Sequence, residues 1–519
     1  MLSLWTMLAR RAERTPAKVL LRFADQTWTY AEVVSQALRA GRVFRSLGVG
    51  AGDTVCLMLR NSPDHVFAWF GLSRLGAISV PINVHLKGDG LAYLLHHAEA
   101  RVLLIEADLL PRLAAFDLPP RLQSIIVRGD DSQADRSWAT LVHESPADCP
   151  GADVRPESIA TILYTSGTTG APKGVMLSHH AYLNSAQWFA EYMVGATSED
   201  VLYTSLPLFH INAQAHTVLP AIHMNATFAL GEGFSASRFW DEIRQHGATI
   251  FNSLAAMIPI LCKQPPRPDD RHHHARLTAC AATPKDVWRV FEDRFGVRII
   301  EGYGLTETAG FCVCNPRDAV CVGSIGKPMP WIEAAIVDRE DRPLPPGERG
   351  EIAIRPRAPH VLMEGYFRMP EQTAAAMRDG WFHSGDLGYA DEDGYLYFVD
   401  RAKQSIRRRG ENISSWEVEK IVNAHPQVLE SAAVGVPSEL GEEEVMIHVV
   451  PRADATIDPL DLIRWCEERM AYFMVPRYVR VRESLPKTAT ERVEKYKLKA
   501  EGSAGAWDRE AAGYKLKRT

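Results

Sequence analysis

The strongest chemical signal in the sequence is a loop of small and hydroxyl-bearing residues that ends in a lysine. An apolar run rich in β-branched residues, typical of a buried strand, leads into it. The loop residues are Thr165, Ser166, Gly167, Thr168, Thr169 and, at the end, Lys173. Glycine lets backbone N–H groups turn toward one point, the hydroxyls donate further hydrogen bonds, and the lysine adds charge. The pattern indicates a loop that wraps polyanionic oxygens, with a flexible surface loop as the alternative, and its spacing excludes a Walker A loop.

Two later strings have residue types that suit a nucleotide. Ala281, Ala282 and Thr283 end a strand of small residues, where a planar ligand can approach the backbone unless the junction is simply tightly packed. Further on, Tyr303 offers a ring that can stack on an adenine face. Glu307 offers a carboxylate of the kind that Mg²⁺ shares with phosphates.

These strings, in this order, resemble the signatures of the adenylate-forming (AMP-binding) superfamily over nearly the whole chain. Within it, the string from Arg408 to Ser414 and the segment 470–476 resemble crotonobetaine/carnitine-CoA ligase-like acyl-CoA synthetases. The resemblance implies that a small-molecule carboxylic acid attacks MgATP to give acyl-AMP, and that coenzyme A then displaces AMP. It therefore implies ATP, Mg²⁺ and coenzyme A as co-substrates and cofactors. An enzyme that loads a carrier protein, or a non-catalytic nucleotide-binding relative, remains the alternative.

The resemblance also implies a role for each matching residue. Lys173 and Thr306 would act on the phosphoryl groups and Glu307 would hold the metal. The implied binding residues for the nucleotide are Thr165, Ser166, Gly167, Thr168, Thr169, Ala281, Ala282, Thr283, Tyr303, Asp386, Phe398 and Arg401, with Gly410 for coenzyme A.

An acyl pocket is expected beside these residues. A lone histidine such as His210 is usually structural, but the resemblance places a bulky ring at this position beside the entering acyl group. The other pocket candidates are Phe251, Asn252, Gly302, Phe311 and Val313. These residues permit an apolar and bulky acid without identifying it.

The C-terminal part departs from the family pattern at one position. Lys403 resembles the hinge about which the family's small C-terminal domain rotates. The family's last lysine, which bridges carboxylate and α-phosphate, is replaced by Arg492, and Lys495 is a rival nearby. Arginine keeps the charge but changes reach and geometry. We expect Arg492 to take the role, with Lys495 or neither residue as the alternatives.

The elements that must position these residues alternate between strands and helices up to about residue 320. The pattern predicts an α/β fold with parallel sheets covered by helices. By resemblance, residues 1–401 form a large N-terminal domain, with αβ subdomains at about 1–165 and 166–322 and a small β-barrel at 323–400. Residues 402–519 form a small mobile α+β domain.

Composition limits the class of protein. A net charge of −6 gives no support for nucleic-acid binding. The sequence has no apolar run long enough for a membrane span and no pattern typical of a signal peptide. Its eight scattered cysteines match no zinc motif and indicate a cytoplasmic protein with reduced thiols. Whether the chain is a monomer or a homodimer is left open.

Overall fold

The computed structural model gives the fold of most of the chain. The residues that it describes are 3–129, 136–165, 172–254, 257–281, 283–401, 406–408, 411–413, 415–438, 443–470, 472–487 and 493–516. No helix among these residues is both long and apolar enough to cross a membrane.

The first sheet is parallel in its centre and antiparallel at both edges. Its strands, in spatial order, are Lys327–Pro328, Gly310–Cys314, Arg298–Leu305, Leu277–Ala281, Ile250–Leu254, Val201–Thr204, Thr227–Leu230, Val19–Phe23 and Gln26–Thr29. Strands that are buried on both faces favour apolar and β-branched residues, which is why the central strands appear in the sequence as short apolar runs.

The second sheet is also parallel in its centre, but it is antiparallel only at the edge formed by its first three strands. Its strands, in spatial order, are Gly365–Tyr366, Lys173–Ser178, Ile159–Thr165, Ile78–Pro81, Thr54–Met58, Val102–Glu106 and Ser124–Arg128. The two sheets do not follow the predicted subdomain boundary near residue 165. Val19–Phe23 pairs with Thr227–Leu230 in the first sheet, and Lys173–Ser178 belongs to the second. Long-range strand pairing leaves no mark in hydrophobic periodicity, so the sequence could not place this boundary.

Helices connect these strands, as the alternating pattern predicts. They are Leu4–Arg14, Tyr30–Ser46, Pro63–Leu75, Gly88–Ala98, Trp138–Glu144, His179–Trp188, Ile211–Ala213, Leu219–Met224, Phe239–His246, Met257–Cys262, Lys285–Phe295 and Pro370–Ala376. Ser62 caps Pro63–Leu75, because its hydroxyl accepts the N–H of His65 at 3.4 Å. Phe189–Met193 and Gln214–Val218 each form a π-helical turn.

Shorter strands dominate the rest of the chain. In the β-rich segment they are Ile332–Val337, Gly350–Pro356, Met377–Arg378, Trp381–Ala390 and Leu396–Arg401. The α+β part that follows contains strands Ile406–Arg408, Glu411–Ile413, Val428–Pro437, Glu443–Pro451, Tyr478–Val481 and Trp507–Asp508, with helices Ser415–Asn423, Pro459–Glu467 and Lys495–Ala500. The fold is therefore the expected one, a large α/β part, a small β part and a small α+β part.

Backbone contacts divide the chain into two compact units. The first consists of Met1–Ala334, Ile354–Phe382 and Gly394–Leu396, and the second of Ala335–Ala353, His383–Asp393 and Tyr397–Thr519. This division assigns part of the β-rich segment to each unit. The domain boundary at residues 401 and 402 that the resemblance implies stays a prediction.

One buried side chain joins the ends of the two large sheets. Asn61 follows the second-sheet strand Thr54–Met58, and its amide nitrogen donates to the carbonyls of Leu206 and Gly231, both at 2.9 Å. Its amide oxygen accepts the N–H of Leu208 at 2.7 Å. Because Leu206 and Gly231 follow first-sheet strands, Asn61 satisfies three backbone groups where the sheets meet.

Replacing Asn61 should therefore destabilise the large unit. Asn61→Leu leaves two carbonyls and one N–H unpaired, and we expect it to lower the free energy of unfolding by about 3 kcal/mol. Arg60→Ala is the matched control, because the neighbouring Arg60 makes only an exposed ion pair with Asp108 and its loss should cost no more than about 0.5 kcal/mol. Urea unfolding followed by tryptophan fluorescence measures both, and equal effects would contradict a bridging role.

Candidate functional site

The base of the phosphate loop is an antiparallel pair of strands. Thr165 lies opposite Lys173 in the register, so these two residues close the loop 166–171, which lies outside the described residues. Beside them, the hydroxyl of Tyr164 forms a hydrogen bond of 2.7 Å with Nδ1 of His97. Burial lowers the pKa of His97 and raises that of Tyr164, so both groups are neutral. The strand that leads into the loop is therefore held by a hydrogen bond between two uncharged side chains, His97 and Tyr164.

The structure brings Lys173 and Glu307 together through a residue that the sequence did not single out. The ammonium Nζ of Lys173 lies 4.5 Å from the ring centroid of Tyr366. The hydroxyl of Tyr366 donates to Oε1 of Glu307 at 2.9 Å. Burial, and then the charge of Glu307, raises the pKa of Tyr366, so its hydroxyl keeps the proton that it donates. Tyr366 reaches this place because Gly365–Tyr366 pairs with the strand that begins at Lys173.

Thr306 and Glu307 lie in the tight turn between Arg298–Leu305 and Gly310–Cys314. Thr308, fully buried, holds this turn: its hydroxyl accepts the N–H of Leu305 at 2.8 Å and donates to the carbonyl of Gly310 at 2.7 Å. The backbone carbonyl of Glu307 accepts the N–H of Met363 at 2.9 Å. Thr306 and Glu307 are both half-buried.

The residues expected near the nucleotide are held by a buried carboxylate. Both carboxylate oxygens of Glu301 accept the N–H of Thr283, at 3.2 and 3.0 Å, and Glu301 is only 3% exposed. This contact ties the strand that carries Tyr303 to the end of the strand that carries Ala281. The sequence did contain a signal for Glu301, since an acidic residue within an apolar strand is unusual. Ala282 lies outside the described residues.

Asp386, Phe398 and Arg401 belong to the second unit. Asp386 is 2% exposed, and its N–H donates to the hydroxyl of Ser384 at 3.1 Å. The preceding Gly385 has φ of +71° and donates its N–H to Glu351 at 2.7 Å. The strand Trp381–Ala390 therefore bends at Gly385, immediately before Asp386. Its ribose-binding role, and those of Phe398 and Arg401, stay predictions.

The acyl-pocket candidates are divided between the two faces of the first sheet. The Phe251 ring packs against Phe239, with ring centroids 5.1 Å apart, in the hydrophobic core. Asn252, next along the strand, faces the other way and donates to the carbonyl of His216 at 3.0 Å. Because neighbouring strand residues point to opposite faces, the structure does not bring Phe251 together with Asn252.

Phe311 lies with Asn252, and Val313 does not. The N–H of Phe311 donates to Nε2 of His216 at 3.1 Å, and a Cβ on Gly302 would come within 2.8 Å of the Phe311 ring. Val313 lies opposite Tyr303 in the strand register, and a register irregularity between Val313 and Phe311 places the two on different faces. The N–H of His210, which is half-buried, donates to the carbonyl of Pro207 at 3.1 Å.

The C-terminal candidates are only partly described. Lys403, Gly410 and Arg492 lie outside the described residues. Nζ of Lys495 lies 2.8 Å from a carboxylate oxygen of Glu419 and donates to the hydroxyl of Ser415 at 2.6 Å. Lys495 is therefore held by its own unit, and the role of Arg492 stays a prediction.

The fold and the candidate site together define the class of protein to which the chain belongs. The profile of the AMP-binding enzyme family matches residues 8–367, and that of the AMP-binding enzyme C-terminal domain matches residues 417–492. The chain belongs to the AMP-binding enzyme family.

Named relatives and solved structures agree with this assignment. The crotonobetaine/carnitine–CoA ligase of Salmonella paratyphi B is 37% identical over 484 residues, covering 91% of this chain and 93% of that protein. The anthranilate CoA ligase AuaEII, solved with anthranoyl-AMP, has a TM-score of 0.89 at 28% identity, covering 96% and 97% of the two chains. ATP-bound MatB of Rhodopseudomonas palustris has a TM-score of 0.86 at 27% identity, covering 96% and 99%.

The contact between Tyr366 and Glu307 gives a prediction. Tyr366→Phe keeps the ring beside Lys173 but removes the hydrogen bond that orients the carboxylate. We expect it to lower kcat/KM for ATP about tenfold and to raise the Mg²⁺ concentration needed for half-maximal rate. Pyrophosphate release against Mg²⁺ concentration measures both.

Tyr395→Phe is the matched control for this prediction. The Tyr395 ring lies 4.4 Å from Nζ of Lys327, and its hydroxyl donates to the carbonyl of Ala319 at 2.6 Å. The same chemical change there should leave the Mg²⁺ dependence unaltered. A Tyr366→Phe enzyme with the wild-type Mg²⁺ dependence would show that the contact is only structural.

Proposed function

We propose that the chain is an ATP-dependent, AMP-forming acyl-CoA ligase. The observation that carries the proposal is the arrangement of Lys173 and Glu307 about Tyr366, at the base of the phosphate loop. It lies within the part of the chain that matches the AMP-binding enzyme family. The named relatives, which are CoA ligases, support coenzyme A as the acceptor.

In the first step a carboxylate oxygen of the acid attacks the α-phosphorus of ATP and pyrophosphate leaves. This reaction needs positioning and charge stabilisation, and no covalent bond to the protein. We assign Lys173, Thr306 and the loop residues Thr165 to Thr169 to the phosphoryl oxygens. Tyr303, Ala281 and Thr283 line the adenine side, held by Glu301.

Mg²⁺ fits this site as an ion that arrives with ATP. The described residues contain no group of three or more His, Cys, Asp or Glu side chains that could hold a metal ion. Mg²⁺ usually binds through one or two carboxylates together with substrate phosphates and waters. Glu307, oriented by Tyr366, would supply that carboxylate. When bound, the ion would neutralise charge on the phosphates.

In the second step the coenzyme A thiol attacks the acyl carbonyl and AMP leaves. For this step we assign Gly410 to coenzyme A, Lys403 to the hinge and Asp386, Phe398 and Arg401 to the nucleotide that departs. Loading of a carrier protein is the competing function. Consumption of acyl-AMP by free coenzyme A distinguishes the two.

The metal assignment gives the central test. Glu307→Gln is nearly isosteric and can still accept the Tyr366 hydroxyl, so the fold should remain while the charge that holds Mg²⁺ is lost. With ATP, Mg²⁺, coenzyme A and a panel of carboxylic acids, the wild type should release pyrophosphate and consume thiol. The variant should release pyrophosphate at least about 100-fold more slowly. Wild-type pyrophosphate release by the variant would refute the metal role of Glu307.

A second test concerns the adenylation cation. Arginine can bind carboxylate and phosphate oxygens with its fork of donors. Arg492→Ala should slow adenylation by at least about 100-fold and spare thioester formation from supplied acyl-AMP. Lys495→Ala should lower thermal stability, because the contacts of its Nζ with Glu419 and Ser415 are lost, with little effect on either half-reaction. An adenylation defect confined to Lys495→Ala would reverse the assignment.

A further inference from the structure

Three aromatic rings form a stacked wall on the face of the first sheet that carries Asn252. The ring centroids of Phe189 and His216 are 4.8 Å apart, and those of His216 and Phe311 are 4.4 Å apart. Phe189 and His216 come from the two π-helical turns, a local geometry that is frequent at functional sites. His216 was not among the pocket residues that the sequence predicted.

The protonation of His216 follows from its contacts. Its Nε2 accepts the N–H of Phe311 at 3.1 Å and therefore carries no proton. Burial lowers the pKa of His216 to about 3, so the ring is neutral at physiological pH. A neutral imidazole carries one proton, which must be on Nδ1. This buried N–H donor has no hydrogen-bond partner among the described residues.

Asn252 leaves the complementary group unpaired. Its Nδ2 donates to the carbonyl of His216 at 3.0 Å and to the hydroxyl of Thr217 at 2.7 Å. Because a carbonyl only accepts, this contact fixes which end of the amide is nitrogen. Oδ1 of Asn252 is then a buried acceptor without a partner in the described part of the chain. A donor and an acceptor thus lie on neighbouring side chains.

Their position is one where α/β proteins bind ligands. Asn252 is the middle residue of the central parallel strand Ile250–Leu254, and ligands bind beyond the carboxyl ends of such strands. Ala279 lies opposite Asn252 in the register and Ile300 lies opposite Ala279, with Gly302 two residues further along the same strand. The space above Gly302 is filled by Phe311 and Met193, whose side-chain atoms lie 2.8 and 2.9 Å from where a Cβ would be, so the aromatic wall packs directly onto the sheet. The same hairpin that carries Phe311 carries Glu307 in its turn.

A buried donor and a buried acceptor are each costly when unpaired. One chemical group satisfies both, since a hydroxyl accepts through its lone pairs and donates through its proton. We propose that the carboxylic acid activated by this protein carries a hydroxyl group, which accepts from Nδ1 of His216 and donates to Oδ1 of Asn252. This inference rests on the proposed function, because the acyl chain must bring the hydroxyl to this face.

The test compares acids that differ only in a hydroxyl. The wild-type protein is assayed for pyrophosphate release and thioester formation with benzoate against its three monohydroxy isomers, and with hexanoate against 3-hydroxyhexanoate and 6-hydroxyhexanoate. We expect at least one hydroxy acid to be used with kcat/KM about 30-fold or more above its parent, because sites built to hydrogen-bond a hydroxyl reject analogues that lack it.

Two variants assign the preference to the proposed residues. His216→Phe keeps the aromatic stack and removes Nδ1, and Asn252→Leu keeps the approximate volume and removes Oδ1. Each should reduce the preference to about threefold or less, mainly by slowing the hydroxy acid. The preference is a ratio measured within one protein preparation, so partial misfolding of a variant does not change it. Ser431→Ala removes a buried, unpartnered hydroxyl from the second unit and should leave the ratio unchanged.

The outcomes separate this inference from the proposed function. Activation of acids without any preference for a hydroxyl overturns the inference and leaves the ligase function standing. A preference that survives in both His216→Phe and Asn252→Leu also overturns it. If no acid gives pyrophosphate and thioester, the proposed function fails and the inference fails with it.

Discussion

Tyr366 lies between a cation and a carboxylate that come from two other parts of the chain. Its ring faces the ammonium of Lys173, and its hydroxyl holds the carboxylate of Glu307. A tyrosine can do both because its face attracts cations while its edge carries a donor. The arrangement requires that Gly365–Tyr366 pair with the strand of Lys173 and that the turn of Glu307 be fixed by Thr308. The relative positions of Lys173 and Glu307, which we assign to the phosphates and the metal, depend on these contacts.

Charged and neutral polar groups of the large unit are stabilised in different ways. Lys173 and Glu307 are half-buried, where water and a phosphate ligand can offset the cost of their charges. The buried His216 is uncharged, because burial lowers its pKa to about 3. A neutral histidine still gives direction to a contact, since one ring nitrogen donates and the other accepts. In the arrangement that we propose, the acyl side selects its acid through the hydrogen bonds of His216 and Asn252.

The second unit binds several of its cations internally. Arg408 and Glu444, 3% and 2% exposed at their side chains, form a buried ion pair of 2.6 Å. Arg408 also donates to the carbonyl of Phe473 at 2.7 Å. Removing one partner of such a pair leaves an uncompensated buried charge, which makes the pair a strong constraint on the strand Ile406–Arg408. Lys495 is held in the same way by Glu419. A cation already held by its own unit is poorly suited to act on a substrate.

The sequence by itself determined the class of fold, the order of the elements and the strings that hold the phosphate loop, Tyr303 and Glu307. These features are local, because periodicity, helix caps and short motifs are written in neighbouring residues. Only the tertiary structure decided that Val19–Phe23 joins the first sheet and that Phe251 packs in the core and faces away from Asn252. It also decided that Tyr366, Glu301 and His216 contact the candidate site residues. Each of these depends on strand pairing or on which face of a strand is buried. Such contacts join residues far apart in the chain, where spacing along the sequence carries no information about them.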